Sequence, residues 1–178
     1  MRYAIGQLEV MGYMKRFSDL VTGLSRLLDQ AAGFFLVATI VLIVLNILLR
    51  AVFKTPIFGA YEYVGLLTAL VIGLAIAYCG VQNAHIAVTL VTERLPARLQ
   101  TLISIFINLI SMCFLAVCAW YVGLYAGSMK DSGLVSPTTQ IPTYPFVYLI
   151  ALGLLVYSLV LLVRTIESII KAANKSKD

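Results

Sequence analysis

Charge is what this sequence has least of. Only 12% of its 178 residues are Asp, Glu, Lys or Arg, 61% are apolar, and the mean hydropathy is +0.98. So few charges cannot keep the surface of a domain this size in water, which excludes a soluble globular protein. Cysteine and histidine are nearly absent as well. Cys79, Cys113 and Cys118 fall in apolar stretches with no metal-ligand spacing to the single histidine, His85, so neither a disulfide nor a metal site is expected. The net charge of +5 is spread along the chain, and no basic run of the kind that tracks phosphates is present, so no nucleic-acid partner is expected. No pair of acids is placed for general acid and base work, no serine stands beside a histidine, and no glycine-rich loop opens a helix beneath a phosphate. The chain is therefore not expected to be an enzyme. The first 13 residues lack the basic, apolar and small-residue order of a cleaved signal peptide, so the membrane signal is expected in the mature chain, with Met11 and Met14 as alternative starts.

What is abundant is uninterrupted apolar sequence. Stretches free of charged residues run over 30–49, 63–92, 99–129 and 132–163. At about 1.5 Å per helical residue, each reaches across a hydrocarbon core of about 30 Å. The expected fold is an all-α integral membrane protein, one membrane domain over 1–178. Its four transmembrane helices are placed at 31–50, 63–84, 99–127 and 144–164. Ser136 to Pro142, with two prolines, is a turn-rich connection that precedes the last span.

The basic residues are distributed unevenly. Arg2, Lys15, Arg16, Arg26, Arg94, Arg98, Arg164, Lys171, Lys175 and Lys177 fall on one side of such a four-span chain, and only Arg50, Lys54 and Lys130 on the other. The positive-inside rule then puts both termini in the cytoplasm, N-in and C-in. Before the first span, Phe17, Leu20, Val21, Leu24, Leu27, Leu28 and Ala31 recur at helical spacing, opposite Arg16, Asp19, Arg26 and Asp29. Residues 15–30 thus read as an amphipathic interfacial helix. The same periodicity also suits an extension of the first span that packs on its own protein.

Moving an ion or an organic acid through lipid requires ionisable or multiply polar groups around a protected cavity, and the midplanes of these spans offer none. Asn46, Ser104, Asn108, Ser111 and Ser158 are the strongest polar groups there, and such residues tie helix to helix. The remaining candidates lie at the rims or on ridges. Arg50 closes the first span and Glu62 opens the second, so a helical hairpin brings both to one headgroup level. An ion pair between them would fix the angle of the hairpin; alternatively each reaches separately to water or touches a partner. Asn46, one turn before Arg50, shares its face. His85 lies at the other rim beside Gln82, Asn83 and Thr89, as a hydrogen-bonding helix end or a proton relay. Gly65, Ala69, Gly73 and Ala77, and again Ala119, Gly123 and Gly127, form ridges of small residues that let helices approach closely.

Several of these features occur in an order that resembles a known family. Arg50, Pro56 with Phe58, Glu62, the run Gly73, Ala77 and Gly80, then His85, Ile86 and Val88, and finally Leu95 and Pro96 are similar to the small, DctQ-like membrane subunit of tripartite ATP-independent periplasmic (TRAP) transporters. Ala60 and Tyr61 depart from it where a tryptophan is frequent nearby, and beyond Leu99 only the hydropathy matches. The resemblance implies a multi-pass inner-membrane scaffold without a cofactor of its own. Its partners would be membrane lipid, a large TRAP membrane subunit that carries the sodium and substrate sites, and a periplasmic substrate-binding protein. Together they would import an organic acid by sodium symport. A self-sufficient small four-span homo-oligomeric transporter or channel is the alternative, and a lipid-directed enzyme using His85 as base a third.

Overall fold

No proline interrupts the first 53 residues. In a computed structural model, which describes residues 2–82 and 97–175, with side chains over 16–82, 103, 105–166 and 169, they form one helix, α1 (Arg2–Phe53). Its 52 residues are about 78 Å long, more than twice the thickness of a hydrocarbon core. Residues 15–30 are therefore not a separate element but continue into the first span without a break. The helix stops where Lys54 adopts φ 57 and Pro56 biases the preceding residue away from helical geometry.

Helix α2 (Ala60–Val81) starts from Gly59, whose φ of 70 favours glycine, and the Gly59 carbonyl accepts the amides of Glu62 and Tyr63 at 2.9 and 3.2 Å. Helix α3 (Ala97–Asp131) ends in a Schellman motif. There Gly133, at φ 61, donates to the Lys130 carbonyl, and Leu134 to that of Met129, so the last carbonyls stay satisfied at a headgroup boundary. A short loop follows, closed by Ser136 N–H to Ile141 O at 2.9 Å, and then α4 (Tyr144–Lys175) with Pro145 in its first turn, where a missing amide is tolerated.

Each of these helices has a stretch long and apolar enough to cross a membrane. From Glu62 to Val81 and from Tyr144 to Arg164 the chain rises about 30 Å, one hydrocarbon thickness. Gly73 meets Ile150 and Gly153, Gly80 meets Tyr157, and Val81 packs with Val160, so α2 and α4 run in the same direction. Val21 joins Val160 and Val163, so α1 runs against both. The α1–α2 and α3–α4 loops thus share one end, the loop end, while Arg2 and Lys175 lie towards the other, the terminus end.

Helices α1, α2 and α4 form the core, and α3 touches only α4 among the described residues. Leu28, Ala32, Leu74, Ala77 and Val156 make the main cluster. The stripe foreseen for residues 17–31 splits in two. Val21, Ser25, Leu28 and Ala32, successively four, three and four residues apart, face the core, whereas Phe17, Leu20, Leu24 and Leu27 are exposed, Leu20 at 72%.

Candidate functional site

The loop end is where polar chemistry gathers. Pro56 and Gly59 turn the chain tightly enough that the Ile57 amide, unpaired by any helix, reaches the Asn46 side chain, whose Oδ1 accepts it at 2.9 Å. Asn46 therefore stands level with the start of α2, and Arg50, one turn further on, projects beyond it and is exposed.

Glu62, in the first turn of α2, is half-buried and reaches across to the α3–α4 loop. Its Oε1 accepts the Thr138 amide at 2.8 Å, and its Oε2 accepts the Thr139 amide at 2.9 Å and the Thr139 hydroxyl at 2.7 Å. The Ser136 hydroxyl donates as well. An ionised carboxylate only accepts, and here convergent donors from a single loop use both of its oxygens. Of the readings left open for Arg50 and Glu62, the ion pair between them is not formed. Thr138 and Thr139 present fixed amides directly opposite the carboxylate, whereas Arg50 lies beyond the hairpin and in the open. Gly59 makes the approach possible, since a Cβ there would overlap the Thr139 methyl.

The small-residue ridges divide in a similar way. Gly73 and Gly80 are used inside the chain, and a Cβ on Gly153 would overlap the Gly73 carbonyl, so α2 and α4 cross backbone to backbone. Gly65 and Gly123 have nothing within 4 Å of the position a Cβ would take. Their faces are open. The Ser158 hydroxyl bonds to the Met112 carbonyl at 3.4 Å and joins α4 to α3 in mid-span, beside an apolar groove of about 460 Å³ floored by Ala119, Gly123 and Ala151. His85 lies outside the described residues. Among the described residues no three of His, Cys, Asp and Glu gather as a metal-binding set.

Sequence reasoning missed the partners of Glu62, although the hydroxyl-rich run Ser136, Thr138, Thr139 opposite a lone rim acid was a usable signal. It also missed Arg164, which donates from Nη2 to the Val81 carbonyl and so satisfies the last turn of α2 at the terminus end. Gly153 has no small residue four positions away on either side and gave no warning.

This arrangement fastens helices to one another. No curated protein and no solved structure matches the chain. A model of the family described as tripartite ATP-independent periplasmic transporters, DctQ component, matches residues 39–171, from the middle of α1 to the last turns of α4. With three quarters of its length fitted by that one model and four helices able to span a bilayer, the chain belongs to the DctQ family, as a multi-pass inner-membrane subunit of a TRAP transporter.

Proposed function

We propose that the chain is the stationary, non-catalytic scaffold of a sodium-coupled, binding-protein-dependent importer of an organic acid. Its partners in this reading are a large membrane subunit, which holds the sodium and the solute, and a soluble periplasmic protein that delivers the solute. The loop end faces the periplasm and both termini the cytoplasm, in keeping with the ten basic residues on the terminus side. The exposed stripe of Phe17, Leu20, Leu24 and Leu27 rests against the cytoplasmic leaflet.

The observation that carries this reading is the Glu62 clasp. It binds the α1–α2 hairpin to the α3–α4 hairpin at one end, and the Gly73–Gly153 crossing joins them near mid-depth. A part against which another subunit slides must itself stay rigid, and these contacts supply rigidity without presenting a charged or hydrated path to solute. The test is reconstitution. Proteoliposomes containing the large subunit, this chain, external binding protein and an inward sodium gradient should accumulate labelled organic acid, and omission of this chain should abolish uptake. Full uptake by the large subunit alone would reject an essential scaffold, and solute flux through this chain alone would favour the homo-oligomeric transporter.

A further inference from the structure

At the terminus end, α1, the end of α2 and α4 enclose a recess of about 140 Å³. Its polar lining is Ser18 and Thr22, one turn apart on α1, and Arg164 on α4, and its apolar wall is Val21, Val81 and Val163. The size admits a tetrahedral oxyanion, being several times the roughly 30 Å³ that one water occupies in the liquid. Both hydroxyls are half-buried, and neither has a hydrogen-bond partner among the described residues. The Arg164 guanidinium is anchored by its bond to the Val81 carbonyl, which fixes the orientation of its planar fork.

Depth favours one ligand chemistry. Arg164 and Val81 stand about 30 Å below Tyr144 and Glu62, so the recess lies at the boundary of the hydrocarbon core, the level at which lipid phosphates sit. The Val81 bond engages Nη2 of Arg164, and two hydroxyls border the same space from a different helix. A guanidinium with adjacent hydroxyl donors is the donor set that phosphate oxygens select.

We propose that this recess binds a phosphate group, and that in the bilayer its occupant is the phosphodiester of a phospholipid headgroup, held by Ser18, Thr22 and Arg164. The bound lipid ties the lower part of α1 to α4 through the leaflet. The site adds a lipid dependence to a chain whose other fastenings are internal, at the level where Val21 already packs with Val160 and Val163.

The experiment uses the full chain purified in detergent and stripped of lipid. Thermal unfolding is followed while phosphatidylglycerol, diacylglycerol with the same acyl chains, or inorganic phosphate is added. Phosphatidylglycerol should raise the unfolding temperature and diacylglycerol should not. The double variant Ser18→Ala, Thr22→Val should weaken the phosphatidylglycerol response by roughly tenfold, the loss expected for hydrogen bonds to an anion. Because Arg164→Gln also removes the Val81 bond and can compromise folding, the double variant is the deciding one. A response to inorganic phosphate but not to phosphatidylglycerol, lost in the double variant, would support the site and make its ligand a soluble phosphate. Equal responses to phosphatidylglycerol and diacylglycerol, or a double variant that responds like the wild type, would overturn the proposal.

Discussion

Glu62 makes its bonds to backbone amides, and the consequences of replacing it follow from that. Glu62→Ala removes every acceptor from the Thr138 and Thr139 amides and should lower the unfolding temperature in detergent, while Glu62→Gln, with one acceptor oxygen, should lower it less. Exchanging the charges, Arg50→Glu with Glu62→Arg, should recover nothing, because an arginine has no acceptor to offer two N–H groups. Recovery in the exchanged variant would restore the ion-pair reading. At Ser25 the opposite outcome is expected. Its hydroxyl is fully buried with no partner among the described residues, so Ser25→Ala removes an unmet polar demand and should leave stability unchanged or raise it by up to about 1 kcal/mol. A clear loss of stability in the same unfolding measurement would mean that the hydroxyl has a partner in the folded chain.

Among the helices, the closest approach is that of α2 to α4. Gly153→Ala must push the Gly73 backbone away and should destabilise by about 1–3 kcal/mol, the usual range for overpacking. Gly65→Ala and Gly123→Ala add a methyl to open space and should change the stability of the isolated chain by no more than about 0.5 kcal/mol. Denaturation of the three variants side by side checks the order, and equal losses would show that the ridges are used alike. The ridge on α2 was legible in the sequence because Gly65, Ala69, Gly73 and Ala77 repeat every fourth residue. Which of its members meets a neighbour was not legible, since Gly65 and Gly73 are identical in sequence terms and differ only in what stands opposite. The join between residues 15–30 and the first span was obscured for another reason. The charges of Arg26 and Asp29 interrupt the hydropathy there, but no backbone feature interrupts the helix.

Across the whole molecule, the two hairpins place both termini at one end and both loops at the other, so topology can be tested from outside the cell. In a chain whose native cysteines have been replaced, Ser132→Cys should react with a membrane-impermeant thiol reagent on intact spheroplasts. Ala172→Cys should react only after permeabilisation. The reverse pattern would invert the orientation drawn from Arg2 to Lys177 and, with it, the side on which a binding protein meets the chain.

The sequence by itself determined that this chain lives in a bilayer, crosses it four times and carries its charges at the rims. Those properties follow from composition and the length of apolar runs, which a hydrocarbon slab reads without regard to neighbours. Only the tertiary structure decided that Glu62 binds Thr138 and Thr139 instead of Arg50, that Gly73 meets Gly153 while Gly65 stays open, and that Arg164 closes the end of α2. Each of these joins residues more than 75 positions apart, and no local pattern encodes which of several compatible helix faces will meet.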